Sequence, residues 1–340
     1  MLNQKISNAS FMAALMVVGI HVGGDPALIT EGSSLWWLEA FGHYGIFSIA
    51  VPFFFVCSGY FLAGHMEEPG WYKRECVKRF RSLAVPYVFW CLAYASIPLV
   101  ASCLSCLLHG RETMIPEDYA NVRFWSVVFG LNPLAWPYFI PLWFVRALMM
   151  FTAISPLLFY LIKKSGWIGL LGFLLLAIAV GTYGRFLHIK IHLVLTKCFN
   201  VSGLFYFCCG IYGRLTKVRL PGKGHVIALA YGLVCAAASG YCRMSGIKFF
   251  AQLWIPALLF GLWRFVPERP LPKCLAGSAF AIYILHFIVF RCLGLMFNAT
   301  VETVLQWILK WAAGVVVSMS VALAFRKASP KFADFAFGGR

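Results

Sequence analysis

Apolar residues run through the chain in long stretches, separated by short breaks that are polar or contain glycine and proline. Reading these stretches against the breaks predicts ten helices, at residues 8–25, 44–64, 82–107, 138–162, 166–183, 199–214, 225–242, 247–264, 275–297 and 301–325. We find no internal repeat, no low-complexity tract and no linker long enough to separate domains. The pattern predicts an all-α integral membrane protein, with one transmembrane domain over residues 1–340 and no appended soluble domain.

Composition supports the membrane class. Of the 340 residues, 61% are apolar and only 12% are charged, and the mean hydropathy is +0.80. So few charged residues cannot cover the surface of a soluble domain of this size. The composition therefore excludes a secreted soluble enzyme, a nucleic-acid-binding protein and a disordered scaffold. Most of the twelve cysteines lie in apolar runs, and the C-x-x-C of Cys103 and Cys106 has no second pair, so we expect no metal site. The first segment lacks a small-residue cleavage site and is expected to remain as an anchor.

The distribution of positive charge predicts the orientation. With the N-terminus inside, 19 of the 29 Lys and Arg residues fall in cytoplasmic segments and 7 in outer loops, while Arg146, Arg291 and Lys310 fall within helices. This bias predicts that both termini are cytoplasmic. Much of the net charge of +17 therefore reflects topology rather than affinity for a ligand.

Ionisable residues inside the membrane are costly and are functional candidates by default. They are His21 in the first helix, Arg146 in the fourth, His286 and Arg291 in the ninth, and Lys310 in the tenth. At 1.5 Å per residue, His21 lies about 20 Å from the cytoplasmic end, and the first four cluster between the midplane and the outer face. We expect no Asp or Glu deep in any helix. The alternatives are that Arg146 and Arg291 extend to the outer headgroups, that His21 is a packing residue, and that Lys310 faces the side of the bundle.

A basic segment follows the second helix. It reads WYKRECVKRFRSLAVP at residues 71–86 and carries five cations within nine residues. Such a cluster can fix the orientation of the chain in the membrane or bind anionic lipid. It can equally bind a phosphorylated cofactor, because guanidinium forks suit phosphate oxygens. Composition leaves both interpretations open.

Four segments, in this order along the chain, resemble motifs of the membrane-bound acyltransferase 3 family: SFMAALMVVGIH ending at His21, VPFFFVCSGYFLAGH (51–65) followed by Arg79, Arg81 and Pro86, PLWFVRALMMFTAISPL (141–157), and FAIYILHF (280–287). Together they span residues 10–287. Each motif alone is modest, but the ordered set is specific. The ten predicted helices agree with the architecture of that family.

Members of the family move an acyl group, commonly acetyl, from a coenzyme A thioester to a carbohydrate hydroxyl, and many modify cell-surface polysaccharides. The resemblance implies an O-acyltransferase of the inner (plasma) membrane whose partners are acyl-CoA, a carbohydrate acceptor and membrane lipid. It makes His21 the leading catalytic candidate, and Arg79 and Arg81 the candidates that bind the acyl donor. Arg146 and His286, as buried ionisable residues, are the further catalytic candidates, and Lys78 is a further donor-binding candidate. No metal and no nucleic acid is expected.

The expected chemistry needs a base for the acceptor hydroxyl and a positive group for the oxyanion. Histidine suits the first task near neutral pH, and a buried guanidinium the second. One departure from the family concerns Ser10, which stands where the family usually has an arginine. Lys5 lies on another face of the helix, so either Arg146 fills that role or the chain is a divergent member. In the CSGY element, Ser58 is a possible nucleophile, but Gly59 favours close helix packing instead.

A second function class is a carrier or flippase for a glycan or a lipid-linked intermediate, since ten helices with buried polar groups suit both classes. Paired helix breaks in inverted halves are typical of transporters, and the prolines of this chain give no matched pair. A non-catalytic scaffold ranks third, because it leaves the buried cations unexplained.

Overall fold

The computed structural model describes residues 2–23, 29–109, 116–183, 186, 188–217, 222–245, 247, 250–272, 275, 277–297 and 301–338. Within these residues the protein consists of α-helices joined by short π and 3₁₀ turns, and no β-strand occurs. The α-helices, numbered α1 to α17, are Leu2–Ile20, Ser34–Leu38, Ala50–Ala63, Trp71–Arg79, Val85–Ala95, Ile97–His109, Val122–Val128, Leu142–Ala153, Ser155–Ser165, Trp167–Tyr183, Ile189–Leu193, Val201–Thr216, Gly222–Met244, Ile255–Trp263, Ala279–Phe297, Val304–Ala328 and Pro330–Phe337.

Each of the ten predicted segments overlaps at least one of these helices, but the segments differ in continuity. Four helical stretches in the described residues are long and apolar enough to cross a membrane: Ser34–Ala63, Trp71–His109, Gly222–Met244 and Val304–Ala328. Two bent pairs raise the number to six if each pair is one span. The chain is a multi-pass helical protein, and ten spans with cytoplasmic termini stay a prediction.

Both bends have a local cause. Helices α8 and α9 meet at 67°, next to Pro156, which has no N–H to continue the hydrogen-bond ladder. The π turn Val194–Cys198 meets α12 at 42°. Asn200 separates these two elements in a left-handed conformation, and its side chain caps α12 by accepting a hydrogen bond from the Gly203 N–H at 2.7 Å.

A very close helix crossing joins α3 to α12. A Cβ on Gly59 would overlap the Phe207 carbonyl, and a Cβ on Gly210 would overlap the Val56 carbonyl. Glycine is therefore required at both positions, because only its absent side chain lets the two backbones come this close. The prediction that Gly59 mediates close helix packing is confirmed. This crossing holds in place one wall of the large cavity described below, because Ser58, next to Gly59, lines that cavity.

The two ends of the bundle differ chemically. At one end, called the basic end, Lys5 pairs with Glu268 at 3.3 Å and Lys163 pairs with Glu67 at 2.7 Å. These contacts bring the N-terminal helix, the loop before α4 and the end of α9 to that end. Helix α3 ends there, and its 14 residues, about 20 Å, begin at the other end. At that other end Phe47, in the 3₁₀ turn just before α3, packs on Gly19 near the end of α1.

Candidate active site

Two histidines face each other at the far end of α1, called here the histidine end. His21 follows the last residue of α1, and its backbone N–H still donates to the Val18 carbonyl at 3.0 Å. Its ring stacks on the ring of His286 in α15, with centroids 5.1 Å apart and an angle of 29° between the planes. The structure thus brings together two of the three predicted catalytic residues.

The hydrogen bonding of His286 defines its tautomer. The residue is fully buried. Its Nδ1 donates to the Ile282 carbonyl, one turn earlier in α15, at 3.0 Å, which leaves Nε2 as the acceptor of a neutral ring. That Nε2 is buried and has no hydrogen-bond partner among the described residues. A buried unsatisfied acceptor is costly, so the position suits a ligand or a reacting group that supplies a donor.

Sequence reasoning missed a carboxylate beside this pair. Glu39 lies in the π turn Glu39–His43 that follows α2, and its side chain is only 2% exposed. One carboxylate oxygen lies 2.9 Å from Nδ1 of His43, and the other accepts a hydrogen bond from the indole N–H of Trp307 at 2.7 Å. The expectation that no Asp or Glu lies deep in a helix is therefore wrong. Residues 26–43 are predicted as an outer loop because Gly, Ser and Glu interrupt the apolar run, but Ser34–His43 is helical and Glu39 is buried.

A large cavity opens at the basic end. Its volume is about 1200 Å³, and its polar wall includes all three predicted donor-binding residues, Lys78, Arg79 and Arg81, together with Lys73 and Arg74. They come from α4 and from the π turn that follows it, so the basic segment curls around one space. Both the guanidinium and the ammonium groups needed to bind several phosphates are thus available in one place.

A buried carboxylate lies within this basic wall. Glu75 on α4 is buried, with one oxygen 3.5 Å from Lys78 Nζ and the other 3.7 Å from Arg79 Nε. These are ion pairs beyond hydrogen-bond distance, and Arg79 Nε has no hydrogen-bond partner in the described part of the chain. The guanidinium of Arg79 is therefore held in position by charge and retains donor capacity. Spacing along a helix could have found this pair, since Glu75 and Arg79 are four residues apart.

Two exposed carboxylates, Glu67 and Glu68, lie near the large cavity, and Glu68 pairs with His65 and Arg74, which both line it. The hydrogen bond with His65 lowers the pKa of Glu68, and the hydrogen bond with Lys163 lowers the pKa of Glu67. Both groups are fully exposed. Their charges partly offset the excess of cations at the rim but not the cations of the inner wall.

A second, smaller cavity continues from the first. Its volume is about 230 Å³, and it shares Phe54 and Phe144 with the large cavity. Ser10, the position that departs from the family pattern, lies on its wall, and Tyr283 lies at its inner side. The Tyr283 ring is 6.4 Å from the His286 ring. The two cavities share a wall, and Tyr283 on the wall of the smaller one lies next to His286, so the cavities lie between the basic segment and the histidine pair; neither cavity is lined by His21 or His286 itself.

Arg146 occupies a different place. It is buried on α8, and its guanidinium makes four hydrogen bonds to three backbone carbonyls: Gly130 at 2.9 Å, Ala135 twice at 3.3 Å, and Lys197 at 2.7 Å. All the hydrogen bonds of this side chain go to main-chain oxygens. The structure does not join it to His21 or His286 by any hydrogen bond in the described residues, so its catalytic role stays a prediction. The alternative that it extends to headgroups does not match its burial.

The remaining cations within helices have protein partners. Arg291 is exposed on α15 and donates to the Tyr94 hydroxyl at 2.7 Å. Lys310 on α16 lies over the Phe290 ring at 5.5 Å. The clustering of Arg291 with His21 stays a prediction.

Comparison with known proteins assigns the class. A family model described as an acyltransferase domain, that of the acyltransferase 3 family, matches residues 8–327. The chain therefore belongs to this family of multi-pass membrane proteins, as the four sequence motifs indicated. Among curated proteins, the succinoglycan biosynthesis protein ExoH of Rhizobium meliloti (strain 1021) is 28% identical over 218 residues, which are 62% of this chain. The match covers 54% of ExoH, so the chain spans about half the length of that relative. No solved structure matches significantly.

Proposed function

We propose that the protein transfers an acyl group from acyl-CoA, bound at the basic end, to a hydroxyl of a carbohydrate at the histidine end. The observation that carries this proposal is the series of two cavities between the basic segment and the histidine pair. Acyl transfer across a membrane needs a charged site for a nucleotide on one side and a proton-accepting group on the other. The family assignment supports the acyl transfer itself.

In this proposal the phosphates of coenzyme A bind in the large cavity, at Arg79, Arg81 and Lys78. Charged hydrogen bonds to phosphate are short and strong, and the planar guanidinium can make two at once. The uncharged thioester arm then extends between Phe54 and Phe144, whose rings line both cavities. This placement keeps the charged part of the donor at the basic end, where the cations are.

At the other end His21 acts as the general base. The acceptor hydroxyl loses its proton to the imidazole while its oxygen bonds to the carbonyl carbon of the thioester. The carbon–sulfur bond then breaks, and the thiolate of coenzyme A leaves with the electron pair. A positioned general base contributes about 10²–10⁴-fold to such a rate. His286 is the rival base, since its Nε2 is an acceptor with no described partner.

We further propose that the acceptor is a cell-surface or exported polysaccharide and that the acyl group is acetyl or succinyl. The relative named for succinoglycan biosynthesis supports a polysaccharide acceptor. The proposed setting is ten spans in the inner (plasma) membrane, with both termini and the basic end in the cytoplasm. The excess of cations at that end supports this orientation.

The test uses purified protein in vesicles, with acetyl-CoA or succinyl-CoA as donor. The acceptor is envelope polysaccharide from a strain that lacks this protein, and mass spectrometry reads the product. We expect an added mass of one acyl group per transfer with the wild type. His21→Ala should retain binding of acyl-CoA and lose about 10²–10⁴-fold in transfer. If His21→Ala turns over normally and His286→Ala does not, His286 is the base. If both variants turn over normally, the proposed mechanism is wrong.

One observation favours a second candidate function, carriage of a glycan across the membrane. The bent pairs α8–α9 and π turn–α12 interrupt two apolar segments, and broken helices are common where transporters bind substrate. The same vesicles separate the two functions. A carrier would move labelled glycan without any acyl-CoA and would add no mass to it.

A further inference from the structure

Glu39 and His43 form a carboxylate–histidine pair in the π turn after α2. The contact joins Nδ1 of His43 to Oε2 of Glu39 at 2.9 Å, and Oε1 of Glu39 accepts the Trp307 indole N–H at 2.7 Å. The carboxylate is almost completely buried, whereas the His43 side chain is 22% exposed. A buried carboxylate is maintained only if its oxygens are satisfied, and both are.

This pair lies directly against the end of α1. Gly23 follows His21 by two residues, and a Cβ on Gly23 would come within 2.5 Å of a Glu39 carboxylate oxygen. Glu39 therefore joins the end of the helix that carries His21 to a third histidine, His43, which is partly exposed.

Two cations also face this group from neighbouring helices. Lys310 on α16 lies within electrostatic range of Glu39. Arg243 on α13 lies 5.8 Å from the Tyr44 ring, and that ring stacks on His43 with centroids 4.1 Å apart. The negative charge of Glu39 lies among these cations and offsets the positive charge that His43 gains when it accepts a proton.

The chemistry of the pair follows from the hydrogen bond. An Nδ1–H that donates to a carboxylate fixes the tautomer, leaves Nε2 as the acceptor, and stabilises the imidazolium once a proton arrives. A partly exposed histidine, held by a carboxylate that lies against the end of the His21 helix, can pass a proton from this end of the bundle to water.

We propose that His43, held by Glu39, accepts the proton that leaves the carbohydrate hydroxyl and releases it to water at the histidine end. This inference rests on the proposed acyl transfer. As the acceptor oxygen bonds to the acyl carbon and the carbon–sulfur bond breaks, the hydroxyl proton passes to His21 and then to His43. The thiolate takes a proton from water as coenzyme A leaves, so atoms and charges balance. Glu39 is a positioning residue, because it acts through His43.

The test measures kcat and KM for acetyl-CoA in the vesicle assay, using polysaccharide from the strain that lacks the protein. His43→Ala should lower kcat about 10²-fold, the lower range for loss of a proton-transfer group, and leave KM unchanged. Added imidazole should restore about tenfold of the lost rate, because His43 is partly exposed. Glu39→Gln should lower kcat and not KM. Glu302→Gln, at an exposed carboxylate before α16, is the matched control and should behave as wild type.

Each other outcome overturns the inference. A normal kcat in His43→Ala shows that no proton passes through this residue. A loss without imidazole rescue shows that His43 is structural. If His43→Ala fails to fold, His43→Gln replaces it, because its amide can still donate to Glu39; a normal kcat in that variant also overturns the inference. If the wild type transfers no acyl group, the proposed function fails and this inference fails with it, whereas an active wild type with unaffected variants removes this inference alone.

Discussion

The guanidinium of Arg146 provides a quantitative test of what holds the loops at the histidine end. Its four hydrogen bonds end on the carbonyls of Gly130, Ala135 and Lys197. Leaving a buried carbonyl unsatisfied costs about 1–3 kcal/mol, so Arg146→Ala removes about 3–9 kcal/mol before relaxation. Entry of water relieves part of this. We expect a net loss of about 3–5 kcal/mol, the range for breaking a buried charged interaction.

The assay is thermal unfolding in detergent, followed by tryptophan fluorescence and by size exclusion of the heated sample. At about 2–4 °C for each kcal/mol, the midpoint of Arg146→Ala should fall by about 6–20 °C. Arg146→Lys should fall by less, because an ammonium still reaches some of the carbonyls. Arg123→Ala, an exposed arginine on α7, is the control and should change the midpoint little.

One result would refute this reasoning. If Arg146→Ala unfolds at the wild-type temperature yet loses acyl transfer, the guanidinium does not act as a structural anchor. It then acts on the reaction, as the resemblance to the family implied. If both the midpoint and transfer fall together, and Arg146→Lys restores both in parallel, the structural role accounts for the loss.

Three further predictions follow from the packing and from the basic end. Gly59→Ala should lower the unfolding midpoint, because a Cβ overlaps a carbonyl of α12 and overpacking costs about 1–3 kcal/mol; Gly59→Ser should cost more. Arg79→Ala and Arg81→Ala should each weaken acyl-CoA binding by about 1.5–3 kcal/mol, measured by calorimetry. Unchanged affinity in both variants would mean that the basic cluster only sets the orientation of the chain in the membrane. Cysteines introduced in a cysteine-free variant at residues 71–79 should react with an impermeant reagent only from the cytoplasm and those at 117–123 only from outside; labelling of 71–79 from outside would contradict the orientation.

The sequence predicts the parts of this molecule that depend on local pattern. Long apolar runs require helices, and His21 and His286 stand out because an imidazole within an apolar run has no local reason to be there. The partners of those residues depend on tertiary contacts. Glu39 lies in a polar interruption that reads as loop, and its burial depends on Trp307, which is 268 residues away.

Arg146 shows the same limit in another form. The sequence identifies a charged residue at membrane depth, and the apolar surroundings predict that it is costly. The spacing of residues does not reveal which groups compensate the buried charge of Arg146, because its hydrogen-bond acceptors are backbone carbonyls at positions 130, 135 and 197. Any residue type supplies a carbonyl, so the side-chain sequence at these positions carries no signal of the contact.

The crossing of α3 and α12 at Gly59 and Gly210 has a mechanical consequence for the basic end. The two backbones are in direct contact, and no side chain between them can rotate to let the helices slide. Helix α3 is therefore held in place against α12. Ser58, next to Gly59, lies on the wall of the large cavity, so that wall cannot retreat to admit a bulky ligand. Any widening must therefore come from the other elements that line the cavity, which include the short helix α17 with Asp334 and Phe335.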